Sequence, residues 1–109
     1  MLFDGWENHK DSKISKEILW EYDIESPRWD WQKSRSIVVT RVLERGRYDD
    51  YYAMFNLYGG YEEVRKIVKD EVRYLHSREL AWACVLFGLK KEEMRCYKRQ
   101  QLRKELLRY

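Results

Sequence analysis

Residues 80–87 are apolar without a break, from Leu80 through Trp82, Cys84 and Val85 to Phe87. A helix that is apolar on every side has to be enclosed by other elements. Ser77 stands where an N-cap belongs, Arg78 and Glu79 give one polar turn, and Gly88 supplies the left-handed residue that commonly ends a helix. Ser77–Gly88 therefore reads as a buried central helix around which the other segments pack. With 109 residues the chain has room for one domain and needs no disulfide or metal staple.

The flanking segments carry helical signals of the ordinary amphipathic kind. Ser15 precedes a short turn that brings Ile18, Leu19 and Trp20 together, and Pro27 separates it from Asp30, a good N-cap for a helix starting near Trp31. From Trp31 to Arg45, Trp31, Val38 and Val42 with Val39 and Leu43 form a stripe at helical spacing, closed by Gly46. The β-branched run at 37–40 could also be a strand, but a lone strand would have no partner. A helix starting at Asp49 or Asp50 stops at Gly59-Gly60, and Tyr61 to about Arg73 places Val64, Ile67, Val68 and Val72 on one side. Beyond Gly88, a short helix covers Lys90–Tyr97 and a basic one Arg99–Arg108. The expected fold is all-α, with five to six helices in a single compact domain. Residues 1–14 form a flexible N-terminal arm that Phe3 and Trp6 could anchor, 15–97 the helical domain, and 98–109 a basic C-terminal helix.

Charge is distributed unevenly. The 22 basic and 19 acidic side chains nearly cancel, yet residues 1–30 hold 4 basic against 8 acidic groups and residues 89–109 hold 8 against 3. The front is acidic and the tail basic. Cys84 and Cys96 are the only cysteines, one of them within the apolar helix, so reduced thiols and a cytoplasmic protein are expected. The first ten residues lack a signal peptide's basic start and apolar run, and no apolar run reaches the roughly 20 residues that cross a bilayer. No membrane contact is expected.

Catalytic chemistry finds little to use. His9, His76, Cys84 and Cys96 have no zinc spacing, neither cysteine has a local histidine with an orienting group, and there is no phosphate-binding glycine pattern. The acidic pairs Asp49-Asp50 and Glu62-Glu63 sit at helix starts, where negative charge is favoured on structural grounds. The expectation is a protein that is not an enzyme, with no cofactor and no metal.

Two surfaces remain. A helix-turn-helix could pair Asp50–Leu57 with Tyr61–Val72, but Glu62 and Glu63 would face the phosphates. The better pairing is Ser77–Phe87 with Lys90–Tyr97 across Gly88, offering Lys90, Lys91, Arg95, Lys98 and Arg99 as nucleic-acid contacts. The alternative is that Gly88 is a plain C-cap and the cations a solvated face. The other surface is the acidic, aromatic front, where Trp20, Tyr22, Trp29 and Trp31 lie among Glu21, Asp23, Glu25 and Asp30, suited to docking on a basic protein. At least two of those rings are expected to cover the core instead.

The strings L-W-E-Y-D at 19–23, R-V-L-E-R-G at 41–46, L-Y-G-G at 57–60, R-Y-L at 73–75 and M-R-C-Y at 94–97 resemble a small bacterial family of antitoxin-like proteins, often encoded beside nucleotidyltransferase-type toxins of the abortive-infection kind. The resemblance runs from about Leu19 to Tyr97 and includes no catalytic signature; Met94 departs from the aromatic residue usual before R-C-Y. It implies an all-helical partner-binding protein. The expectation is a non-catalytic antitoxin-like protein that neutralises a toxin by protein–protein contact, with operator DNA as an optional second ligand of the basic face from Lys90 onward. A DNA-binding regulator without a toxin partner is the alternative, and a second copy of the chain is a further partner to test for.

Overall fold

The β-branched run at 37–40 is helical. Helical spacing gathers Val38, Val39, Val42 and Leu43 on one side, and all four are buried, so packing outweighs the weak local preference of β-branched residues. In the computed structural model, which describes residue 3 and residues 5–107, five helices follow in order: α1 Arg35–Arg45, α2 Tyr48–Tyr58, α3 Tyr61–Asp70, α4 Ser77–Phe87 and α5 Arg95–Leu106. Short 3-10 turns occupy Trp6–Asn8, Lys16–Leu19 and Lys91–Glu93. The fold is all-α, with no strand among the described residues.

The helix with the most buried residues is α2, not α4. Tyr51, Ala53, Met54, Phe55 and Tyr58 of α2 are all buried, each large side chain contributing roughly 1.5–3 kcal/mol. The expectation of an all-round buried helix at Ser77–Gly88 is corrected: Leu80, Ala83, Leu86 and Phe87 face inward, but Ala81 is exposed and Val85 is 73% exposed. A domain this small has too few elements to cover a fourth side of that helix. Nor does Ser77 cap it. His76 holds the N-cap position and Ser77 is the first helical residue. At the other end Gly88 takes the left-handed conformation, Leu89 N–H donates to the Cys84 carbonyl at 3.0 Å, and Tyr61 and Arg65 of α3 donate to the Leu86 and Phe87 carbonyls. Three of the last four carbonyls of α4, those of Cys84, Leu86 and Phe87, thus have donors.

Other boundaries shift for local reasons. Asp30 does cap, its Oδ1 accepting from the N–H groups of Gln32 and Lys33, but the residues from Trp31 to Ser34 form a turn and α1 starts only at Arg35. The two helices expected after Gly88 become one 3-10 turn and the continuous α5, so a boundary between residues 97 and 98 falls inside a helix. Met1, Leu2 and Asp4 of the expected arm, and the expected helix end at Arg108, lie outside the described residues.

The N-terminal segment is docked on α2. Phe3 is buried and its ring stacks on Tyr51 at 4.5 Å; Asn56 Nδ2 donates to the Trp6 and His9 carbonyls. Trp6 covers Gly60, where a Cβ would come within 2.9 Å of the indole and where φ is +108°. Asp50, 1% exposed, completes the attachment. Its Oδ1 accepts from the Ser15 N–H at 2.7 Å and the Ser15 hydroxyl at 2.8 Å, and its Oδ2 from the Arg47 N–H at 2.9 Å. The acid that the sequence assigns to a helix start thus also holds the segment before it.

Asp50→Ala would remove three hydrogen bonds to a buried carboxylate and leave the part-buried N–H groups of Ser15 and Arg47 without it, and should lower the unfolding free energy by about 1–3 kcal/mol. Guanidinium unfolding measures this, and a change within about 0.5 kcal/mol of wild type would contradict the role given to Asp50. A paired comparison tests the docking of Trp6. Gly88→Ala meets no neighbour within 4 Å and should cost about 1 kcal/mol, whereas Gly60→Ala must also displace Trp6 and should cost clearly more. Equal losses would mean that Trp6 does not rest on Gly60.

Candidate functional site

After α3 the chain alternates in depth. Val72 and Leu75 are buried, while Arg73, Tyr74 and His76 are exposed. The buried pair pins the connection to the core and leaves the polar residues facing outward. Gln100 of α5 then donates from Nε2 to the Leu75 carbonyl at 2.7 Å, and with Cys96 fully buried this lays the start of α5 beside the connection. A groove of about 570 Å³ opens between them. Arg73, Tyr74 and His76 come from one side, Arg99, Arg103 and Lys104 from the other, with Leu75 and Leu107 as apolar lining. Tyr74 Oη lies 3.2 Å from His76 Nδ1, with the two rings edge-on at 5.0 Å. No carboxylate lines the groove among the described residues. Beyond Arg73, Tyr74 and His76 a second groove of about 300 Å³ continues along α1 past Ser36 and Thr40.

Of the cations singled out in the sequence, only Arg99 reaches this groove. Lys90 and Lys91 belong to the 3-10 turn region, Lys91 Nζ lying over the Tyr97 ring at 5.4 Å from its centroid. Arg95 reaches toward the Asp70 carbonyl at the end of α3, at 3.4 Å. All five, Lys98 included, are exposed. The expected pairing of Ser77–Phe87 with Lys90–Tyr97 is not a compact helix-turn-helix. Residues 88–94 intervene, and the would-be second helix is divided between the 3-10 turn and the first turn of α5. A helix-turn-helix joins its helices by three or four residues.

At the acidic end, three of the four aromatic residues cover the core, one more than the minimum expected. Tyr22, Trp29 and Trp31 are partly buried against it and meet in sequence, Tyr22 to Trp29 at 5.6 Å and Trp29 to Trp31 at 5.5 Å. Trp20 is 69% exposed. Glu21 beside it pairs with Arg41 of α1 at 2.6 Å, and Lys16 pairs with Glu25.

Neither thiol is prepared for nucleophilic work. Burial pushes the Cys96 thiol up, and burial with Glu92 and Glu93 nearby does the same to Cys84, whose Sγ lies 3.7 Å from Met94 Sδ. A raised thiol stays protonated at neutral pH. Among the described residues no group of three or more His, Cys, Asp or Glu could hold a metal ion, and no helix is long and apolar enough to cross a membrane.

The fold and its surfaces define a small all-α protein with a basic groove at one side and an exposed tryptophan on an acidic, aromatic end. Residues 14–68 match the family of unknown function DUF6922, and the chain belongs to that family. No curated protein and no solved structure matches it. The matched segment contains α1, α2 and most of α3, together with Trp20, Tyr22, Trp29 and Trp31; the groove lies outside it.

Burial also raises the Tyr58 phenol, which donates to the Trp31 carbonyl at 2.8 Å, and the Tyr51 phenol, which accepts from Trp82 Nε1 at 2.7 Å. The folded state therefore holds these protons, and those of the two thiols, more tightly than the unfolded chain does. Their contribution is complete below the ordinary thiol and phenol values, about 8.5 and 10, and is lost as the pH rises through and above them. The melting temperature should fall between about pH 8 and about pH 10.5; a flat profile across that interval would refute the assignment.

Proposed function

We propose that this chain is a non-catalytic binding protein of antitoxin type that neutralises a partner by contact with its acidic, aromatic end. The observation that carries the reading is Trp20, 69% exposed, next in the chain to the buried Leu19 and flanked by the exposed acids Glu17, Glu21 and Asp23. Tryptophan is among the residues that most often dominate interface energetics. The acids around it suit a basic partner. A nucleotidyltransferase-type toxin, which has to handle polyanionic substrates, offers such a surface. The resemblance of L-W-E-Y-D to antitoxin-like proteins includes Trp20 itself.

A second reading, a DNA-binding regulator, is favoured by the exposure of Lys90, Lys91, Arg95, Lys98 and Arg99. Phosphate contacts made by such residues weaken steeply as salt rises.

Co-expression with the protein encoded beside its gene separates the two. The antitoxin reading expects a stable complex that survives high salt and nuclease, relief of the partner's toxicity, and a loss of affinity on the order of 30-fold for Trp20→Asp. A complex indifferent to Trp20→Asp, or no complex at all, would remove this reading.

A further inference from the structure

We propose that the groove between residues 73–77 and α5 is a binding site for single-stranded nucleic acid, with phosphates held by Arg73, Arg99, Arg103 and Lys104 and a base laid on Tyr74. The site is independent of the Trp20 surface. It also differs from the duplex-DNA reading in both ligand and residues, since only Arg99 is common to the two.

Charge sets the class of ligand. Four cations line the groove with no carboxylate among its described lining residues, and none of the four forms an ion pair with another described residue. On a chain whose net charge is only +3, so one-sided a cluster calls for a polyanion. Arg99 and Arg103 stand one helical turn apart, about 6 Å along the axis, close to the interval between consecutive phosphates of an extended strand. Arg73 faces them from the other side, so a backbone lying in the groove meets guanidinium groups on both flanks.

Shape and apolar surface then choose among polyanions. Leu75, Leu107 and the half-exposed ring of Tyr74 give the groove an apolar component that free phosphate could not use and that an unpaired base could. Stacking on an aromatic ring is tolerant of base identity and available only to an unstacked base. A cleft of about 570 Å³ admits nucleotides of a single strand, whereas a duplex is far too wide to enter and would meet the outer face of α5. Tyr74 also lines the groove that continues along α1.

Fluorescence anisotropy of a labelled oligothymidylate with the full chain, at low salt and over a salt series, tests the site. The single strand should bind more tightly than a duplex of the same length, with affinity falling as salt rises. Arg103→Glu should weaken binding on the order of tenfold or more and flatten the salt dependence, and Tyr74→Ala should weaken it roughly tenfold. Lys10→Glu, exposed on the N-terminal segment and lining neither groove, should change it no more than about threefold, the sequence-independent share of one distant charge. Circular dichroism checks that each variant folds; Lys104→Glu, also exposed, replaces Arg103→Glu if that variant does not. The proposal is overturned if no oligonucleotide binds, if duplex binds as well as single strand, if Lys10→Glu costs as much as the groove variants, or if inorganic phosphate at equal phosphate concentration displaces the strand.

Discussion

A carboxylate can be buried only when its oxygens are occupied by donors, and the architecture of this chain depends on one such group. Asp50 sits in the first turn of α2 with three donors from two separate segments. Arg47 fixes where α2 begins, and Ser15 fixes where the N-terminal segment ends. A turn and a half further along, Asn56 holds the same segment by the Trp6 and His9 carbonyls, and at the far end of α2 the Trp6 indole closes over Gly60. One side of α2 is thus covered by Phe3, Trp6, His9 and Ser15, which leaves the rest for α1, α3 and α4.

Much of this was legible in the sequence because it is periodic. The stripe through Val38, Val42 and Leu43, the glycines at 46, 59–60 and 88, and the amphipathic pattern of α3 all became what their spacing implies. Misreadings arose where composition was taken for position. The run from Leu80 to Phe87 records how apolar the helix is, not how many neighbours surround it, and Ala81 and Val85, one turn apart, face outward. The N-terminal segment lacks any helical period, which looks like looseness. Its attachment is made by single long-range contacts that no local pattern announces.

The groove was less legible for a related reason. Arg73 and Arg99 are brought together by one hydrogen bond, from Gln100 to the Leu75 carbonyl, and by the burial of Cys96. Local charge density pointed to Lys90 and Lys91, yet proximity in sequence to a turn does not make a surface. The available clue was R-Y-L-H at 73–76, in which one apolar residue is set among three that prefer water. By contrast the aromatic end was readable, since L-W-E-Y-D places one ring inward and leaves Trp20 out within a few residues. The part of the chain that matches DUF6922 carries the scaffold and this end, while the groove is built by residues that follow it.

The docked N-terminal segment also bears on the order of folding. Ser15 and Asp50 are 35 positions apart and Trp6 and Asn56 are 50 apart, whereas α1, α2 and α3 are joined by tight turns and can collapse through near neighbours. Loop closure makes distant contacts late ones. The segment that precedes α1 is therefore among the last to find its place, after the helix that receives it is complete. Contacts formed so late act chiefly as a latch: they hold the native state against opening and govern its lifetime more than the speed at which it is reached.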